Sequence, residues 1–194
     1  MLKVNNLKNC GFIEDKIPKK LFNLLLEECI IGEKNNPEYI SGVTNKRNYD
    51  NVVKHRHLVT NKKILWEYVN KLLINYNEVF PDSQDIKILT DNLPFNLCIP
   101  WINYQRKGEY IPHHTHHGVY SYSVWIKIPS PCLFEFTYTN IIGNILTHSI
   151  NLTKEDEGKI IFFPSKLPHI AYPFNDSEEI RLSISGNVLL DSNF

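Results

Sequence analysis

The chain has no excess of charge of either sign. Lys and Arg together number 21, and Asp and Glu also number 21, so the formal net charge is zero with neutral histidines. Proteins that bind nucleic acid through phosphate contacts usually carry a basic excess. We therefore expect no nucleic-acid partner.

Cysteine is scarce and scattered, and no two cysteines form a C-x-x-C pair. The four are Cys10, Cys29, Cys98 and Cys132. Each lies beside apolar residues, which favours buried free thiols in a reducing compartment over a disulfide framework.

Long apolar runs are also missing. No stretch approaches the roughly 18 consecutive apolar residues of a membrane span, and the first residues have no apolar run of the kind that a signal peptide needs. We therefore expect no membrane association and a cytoplasmic location, which would be the host cytoplasm if the source is viral.

Two amphipathic helices are predicted before residue 80. Residues 17–31 and 61–77 both repeat apolar side chains at helical spacing. The apolar positions are Leu21, Leu24, Leu25 and Cys29 in the first helix, and Ile64, Leu65, Tyr68, Val69 and Leu72 in the second.

From residue 86 onward the pattern changes to short β-rich runs separated by turn sequences, as in an antiparallel sandwich or barrel. We predict a mainly β protein with N-terminal helices, of the α+β class. Its core is a double-stranded β-helix, which is a jelly-roll or cupin-like barrel. In this prediction residues 1–85 are a helical support region of the same domain, and residues 86–194 are the catalytic core.

Three histidines have the spacing of a metal site. His114 and His116 are two apart in a run that reads as extended, so their side chains share one face of a strand. His169 follows another apolar strand that would return beside them. Neutral imidazole is a common ligand of iron, zinc and copper. The pattern predicts a three-histidine metal centre.

Less specific interpretations of the histidines remain open. The cluster of four histidines between residues 113 and 117 is also compatible with a solvated turn that has adventitious metal affinity. His55 and His57 share the two-residue spacing, but they are flanked by basic residues and have no distant partner. We expect those two on the surface.

Arg181 and Ser183 lie on the next predicted strand and, being two apart, on one face of it. A guanidinium that faces a closed barrel needs an anionic partner, because an isolated buried charge is very costly. A dicarboxylate such as 2-oxoglutarate fits, with one carboxylate on Arg181 and Ser183 and the oxo-acid end on the metal. The alternative is a surface salt bridge from Arg181 to Glu178 or Glu179.

These segments resemble the 2-oxoglutarate/Fe(II)-dependent dioxygenases, and most closely the small prolyl-hydroxylase-like oxygenases of phages and bacteria. The matching stretches are WINYQRKGEYIPHHTHHG, YSVWIKIP, GKIIFFPSKLPHIAYPF and EEIRLSISGNV. The resemblance covers roughly residues 95–190. Its most specific element is the ordered set H-x-H, FPSxLPH and RLSISGN.

The resemblance implies that one centre carries the catalysis. It implies Fe(II), 2-oxoglutarate and O2, with hydroxylation of a primary substrate and release of succinate and CO2. That substrate is unidentified, either a peptidyl side chain or a small molecule. The implied metal ligands are His114, His116 and His169, and the implied co-substrate contacts are Arg181, Ser183, Asn103 and Tyr104.

One position departs from the family pattern. Most members have H-x-D or H-x-E, whereas this chain has His116 at the carboxylate position. Three neutral ligands leave the site more positive. The expected consequences are weaker Fe(II) binding, a preference for zinc or nickel, or recruitment of a nearby acid such as Glu109.

Two other functions remain open. A cupin would use three histidines without an oxo acid, and Gly108 lies six residues before His114 as in the first cupin motif. However, the glutamate and the later glycine of the cupin motifs are replaced by Tyr120, Ser121 and Lys166. The other alternative is a non-catalytic jelly-roll module for structure or binding.

Overall fold

The computed structural model describes residues 11–35, 53–81, 93–140 and 142–191. The helices are α1 (Lys19–Lys34) and α2 (Lys62–Val79). The strands are β1 (Ile13–Lys16), β2 (Lys54–His57), β3 (Phe95–Leu97), β4 (Trp101–Gln105), β5 (Ile111–His114), β6 (Tyr120–Lys127), β7 (Cys132–Thr139), β8 (Ile145–Leu152), β9 (Lys159–Pro164), β10 (His169–Ala171) and β11 (Arg181–Leu190).

The strands form two antiparallel sheets. The larger sheet has the order β1-β9-β6-β11-β4-β2, with β3 also pairing with β11, and the smaller has the order β5-β10-β7-β8. Most neighbouring strands come from distant parts of the chain, as in a jelly roll. The prediction of a mainly β fold with N-terminal helices is confirmed.

Both helices pack on one face of the larger sheet. Leu25 and Leu65 of the helices are fully buried in one cluster with Ile102 of β4 and Ile184 of β11. The helices end two or three residues beyond their predicted ends. The helices and the sheet both contribute apolar side chains to this cluster. We therefore expect this face of the sheet to stabilise the fold by burying apolar surface.

The opposite face of the larger sheet lies against the smaller sheet. A second buried cluster fills the space between them and contains Trp125, Phe134, Phe136 and Phe163. Aromatic side chains have little conformational freedom, so they give the surrounding interior a defined shape. Polar residues of both sheets lie beside this aromatic cluster.

The three cysteines in the described residues are all free thiols. Cys29 is a buried free thiol, and Cys98 and Cys132 are partly buried free thiols. Cys10 lies outside the described residues. Neither described helix has the length and apolar character needed to cross a bilayer.

Two adjacent residues of α2 test the helix packing. Leu65 is fully buried, whereas Ile64 is 41% exposed despite its place in the predicted stripe. We expect Leu65→Ala to lower the free energy of unfolding by about 2–5 kcal/mol through lost contacts and a residual cavity. The control Ile64→Ala should change it by about 0.5 kcal/mol or less. Urea denaturation of both variants measures the difference, and equal effects would contradict this packing.

Candidate metal centre

Strand pairing brings His114 and His169 together. His114 is the last residue of β5, His169 is the first residue of β10, and the two are direct partners in the antiparallel register. Their ring centroids are 4.3 Å apart, and His169 is 2% exposed. A contact between residues so far apart in sequence is thus set by the backbone ladder.

His116 reaches the same place from outside the strand. The prediction put it on one strand with His114, but β5 ends at His114. The backbone N–H of His116 donates to the Ser165 carbonyl at 2.9 Å, which anchors the segment. At Gly118 φ is +101°, and a Cβ there would lie 2.6 Å from the backbone oxygen of Val188. Glycine is therefore required where this segment turns into β6.

The three imidazoles leave ligand nitrogens facing one another. One nitrogen from each ring lies within 4.8 Å of the others. Nδ1 of His114 is 2.7 Å from the Pro112 carbonyl oxygen, and Nδ1 of His169 is 2.9 Å from that of Leu167. Because a carbonyl only accepts, Nδ1 of each ring carries the proton and Nε2 keeps its lone pair. Such backbone partners commonly orient metal-binding histidines.

The spacing of these nitrogens suits a metal ion. Nε2 of His116 and Nε2 of His169 are 3.1 Å apart. Two nitrogens at about 2.1 Å from one ion lie about 3.0 Å apart for a right angle at the metal, and about 3.4 Å for a tetrahedral angle. The rings need no large movement to share a cation.

The environment keeps the three histidines neutral. Burial lowers the pKa of His116 to about 4, and the neighbouring His114 adds to the effect. Burial also lowers the pKa of His169 to about 3, again with a contribution from His114. The pKa of His114 is lowered by burial as well. Metal ligands must be unprotonated, so these shifts favour metal binding at neutral pH.

No carboxylate joins the three histidines in the described part of the chain. The carboxylate of Glu109 accepts a hydrogen bond of 2.7 Å from the backbone N–H of Arg106. Glu109 is therefore held in its own turn and is not part of the cluster. The ligand set is three neutral imidazoles, and a divalent ion bound there would keep its full charge.

A cationic pocket adjoins the histidines. It is lined by Gln105, His114, Ser123, His169, Arg181 and Ser183, among other residues. Arg181 is 3% exposed. Its Nη2 donates to the Gln105 side-chain oxygen and, at 3.0 Å, to the Tyr172 carbonyl. Its buried Nη1 has no hydrogen-bond partner among the described residues.

No acid neutralises Arg181 where the chain is described. The two glutamates considered as surface partners pair elsewhere, Glu178 with Lys107 at 2.5 Å and Glu179 with Lys127 at 3.1 Å. Burial lowers the pKa of Arg181, and the Cys132 thiol acts in the opposite direction. A thiol is only a weak hydrogen-bond partner. The guanidinium is thus a buried cation that can still receive an anion.

Strand alternation separates the expected co-substrate contacts. In the register of β4 with β11, Gln105 is opposite Arg181 and Asn103 is opposite Ser183, so these four share the inner face of the sheet. Tyr104 points the other way, and its hydroxyl donates to the Cys29 carbonyl of α1 at 3.2 Å. The structure therefore places Tyr104 on the helix-facing side of the sheet, on the face opposite the pocket that Arg181 lines.

Gln105, which lies opposite Arg181, is a pocket residue that the sequence did not lead us to expect. Besides accepting from Arg181, its amide nitrogen donates to the Glu109 carbonyl and, at 3.3 Å, to the Tyr172 carbonyl. Its two-residue spacing from Asn103 was the available signal, since alternate residues of a strand share a face.

The expectation that His55 lies on the surface is wrong. It is 6% exposed rather than on the surface, and it pairs with Asn103 in the register of β2 with β4. Burial lowers its pKa, the nearby Asn103 side chain acts in the opposite direction, and the nearby His114 lowers it further. His57 is exposed, as expected.

Comparison with known proteins identifies the fold. No protein-family model and no curated protein matches the sequence. A prolyl-4-hydroxylase of Pseudomonas putida aligns with a TM-score of 0.62 over 93% of this chain and 93% of its own, at 14% identity. A Trichoplax adhaerens prolyl hydroxylase, solved with a hypoxia inducible factor peptide, aligns with a TM-score of 0.58 over 93% and 84%, at 10% identity.

An enzyme with a different activity shares the fold. The α-ketoglutarate-dependent epimerase SnoN of nogalamycin biosynthesis aligns with a TM-score of 0.55 over 94% of this chain and 79% of its own, at 13% identity. The chain therefore has the jelly-roll fold of the 2-oxoglutarate/Fe(II) oxygenases, which confirms the predicted resemblance at the level of fold. One fold hosts several reactions, so function must be argued from the site.

Removing one imidazole tests the metal centre. We expect His169→Ala to weaken Mn(II) or Zn(II) binding by about a hundredfold or more, since loss of an outer hydrogen-bond partner alone costs about 10–100-fold. The control His113→Ala should bind as the unchanged protein does, because His113 is exposed and bonds Thr137 instead. Titration calorimetry gives both affinities. Equal affinities for the two variants would show that the histidines do not form one site.

Proposed function

We propose that the protein is a metal-dependent 2-oxoglutarate oxygenase that hydroxylates a substrate with release of succinate and CO2. The observation that carries this proposal is one pocket with metal-ligand imidazoles and a buried arginine without an acid. A 2-oxo dicarboxylate has a chelating end for the metal and a distal carboxylate for the guanidinium. A plain metal site gives no reason for that buried cation.

Each residue has a distinct role in the proposal. His114, His116 and His169 hold Fe(II), while Arg181 and Ser183 hold the distal carboxylate. Fe(II) with the oxo acid and O2 supplies the oxidising chemistry. The protein binds, orients and excludes water.

The surroundings of the pocket suit these tasks. Gln105 fixes the direction of the guanidinium, so the donor of Arg181 is oriented before the anion arrives. The rings of Phe163, Phe134 and Phe136 lie 4.9, 5.4 and 6.0 Å from the ring of His169. They keep water away from this side of the centre, which strengthens the electrostatic interactions there.

A peptidyl side chain is the first substrate class to test. The Trichoplax adhaerens neighbour was solved with a peptide fragment, which supports this choice. The SnoN neighbour acts in nogalamycin biosynthesis, so small molecules form the second class.

The all-histidine ligand set favours one competing function. A cupin-type metalloprotein uses three histidines without an oxo acid, and the cluster here contains no carboxylate among the described residues. The two functions differ in whether Arg181 has an anionic ligand. A non-catalytic jelly-roll module would require neither ligand.

Thermal unfolding with Mn(II) and 2-oxoglutarate separates these functions. For the oxygenase we expect the oxo acid to raise Tm only when Mn(II) is present. Arg181→Ala and Arg181→Gln should lose that increase, because the buried guanidinium makes the charge-assisted contact. Both should keep Mn(II) affinity within about threefold, since Arg181 is not a ligand. The control Arg106→Ala changes an exposed residue and should show the full increase in Tm with the oxo acid.

Other results assign the other functions. A rise in Tm with Mn(II) alone, unaffected by the oxo acid, identifies a cupin-type or structural metal site. No response to either identifies a non-catalytic module. An Arg181 variant that loses metal but keeps the oxo-acid response would refute the assigned roles.

Turnover provides the direct test of the activity. With Fe(II), ascorbate and O2, we expect the protein to convert 2-oxoglutarate slowly to succinate and CO2 without a primary substrate. His169→Ala should abolish this conversion because the metal is lost. Succinate is measured by mass spectrometry, with anaerobic samples as the blank. Succinate formation in His169→Ala equal to that of the unchanged protein would contradict the proposed site.

A further inference from the structure

A row of buried and half-buried polar side chains crosses four neighbouring strands of the larger sheet. We call it the polar row: His55 of β2, Asn103 of β4, Ser183 and Ser185 of β11, and Ser123 of β6. It lies on the inner face, and its members Ser183 and Ser123 also line the pocket beside Arg181. Polar side chains in such an interior need defined partners.

Asn103 is the branch point of the polar row. Its amide nitrogen lies 3.1 Å from Oγ of Ser183 and 3.1 Å from Oγ of Ser185. An amide nitrogen only donates, so each serine oxygen accepts one of its two hydrogens. Ser183 then has its own hydroxyl hydrogen free to donate into the pocket.

This arrangement depends on which way the Asn103 amide is turned. If the amide were reversed, its oxygen would face the two serines and would take their hydroxyl hydrogens. Ser183 would then point its hydrogen away from an anion in the pocket. The sheet backbone does not set this choice, because both orientations of an amide have almost the same shape.

His55 lies where it can determine the orientation of the Asn103 amide. Asn103 Oδ1 and His55 Nδ1 are both buried, and neither has a hydrogen-bond partner at bonding distance within the described ranges. The two residues are direct partners in the register of β2 with β4, and the Asn103 side chain acts to raise the pKa of His55, as a nearby acceptor does. A small movement of either side chain would let Nδ1–H of His55 donate to Oδ1, so that the oxygen is held toward β2 and the nitrogen toward β11.

We propose that His55 is a positioning residue for the anion pocket: by fixing the Asn103 amide it directs the Ser183 hydroxyl at the distal carboxylate of the bound oxo acid. The inference rests on the proposed function and adds a residue to it. His55 does not touch the oxo acid or the metal. Loss of His55 would weaken the binding of the distal carboxylate and leave the binding of the metal-chelating end unchanged.

Two nearly isosteric variants test the role. His55→Asn keeps a donor, because its side-chain amide nitrogen takes the place of the ring Nδ1, whereas His55→Leu has a methyl group there. The probes are 2-oxoglutarate and 2-oxobutyrate, of which the second has no distal carboxylate. Affinities of the Mn(II)-loaded protein for both acids are measured anaerobically by calorimetry, together with Mn(II) affinity and Tm.

The expected result is a selective loss. His55→Leu should weaken 2-oxoglutarate binding by about tenfold, the usual size of one hydrogen-bond contribution, and change 2-oxobutyrate binding by about twofold or less. His55→Asn should stay within about threefold for both acids. Mn(II) affinity should not change. His57→Leu is the matched control, an exposed histidine on the same strand, and should behave as the unchanged protein.

Two kinds of failure are distinguishable. If the unchanged protein binds Mn(II) but does not prefer 2-oxoglutarate over 2-oxobutyrate, the proposed function and this inference both fail. If the preference exists but His55→Leu retains it, the positioning role alone is overturned. Equal weakening of both acids in His55→Leu also overturns it, because that result indicates general damage to the fold. A loss of Mn(II) binding in both His55 variants would place His55 at the metal and overturn the role as well.

Discussion

The pairing of β5 with β10 is the constraint on which the site depends. This ladder brings His114 opposite His169, although 54 residues separate them in the chain. Backbone hydrogen bonds fix the register, and a shift by one residue would turn one imidazole to the opposite face. The carbonyls of Pro112 and Leu167 then orient the two rings. The ligand geometry is therefore largely formed by the fold before any metal binds.

The larger sheet separates stability from chemistry by its two faces. On β11, Leu182 and Ile184 pack against the helices, while Arg181 and Ser183 face the interior between the sheets. Substitutions on the helix face act mainly through the free energy of unfolding. Substitutions on the inner face alter charge and hydrogen bonding around the pocket. Alternate residues of β11 thus serve the packing against the helices and the lining of the pocket.

Electrostatics explains why the pocket is suited to an anion. A buried guanidinium without an acid is costly, and three neutral histidines offer it no compensation. A metal ion bound by these histidines would add positive charge beside it. An oxo dicarboxylate supplies negative charge at both ends of this arrangement, so co-substrate binding would relieve a cost already present in the folded chain. Because no carboxylate joins the three histidines among the described residues, the protein itself supplies no anion to meet that demand.

Much of the fold followed from local patterns, because helical and β periodicities are recorded in neighbouring residues. The H-x-H spacing, His169 and the R-x-S pair were equally local. The structure groups the three histidines, and it places His114 and His169 in the pocket that Arg181 and Ser183 also line. The orientation of Tyr104, the role of Gln105 and the burial of His55 were not readable in this way. Which parity of β4 faces inward depends on its register with β11 and on the helices that cover the other face. His55 becomes buried only because β2 joins the sheet edge beside β4. These are long-range contacts, and no local pattern specifies them.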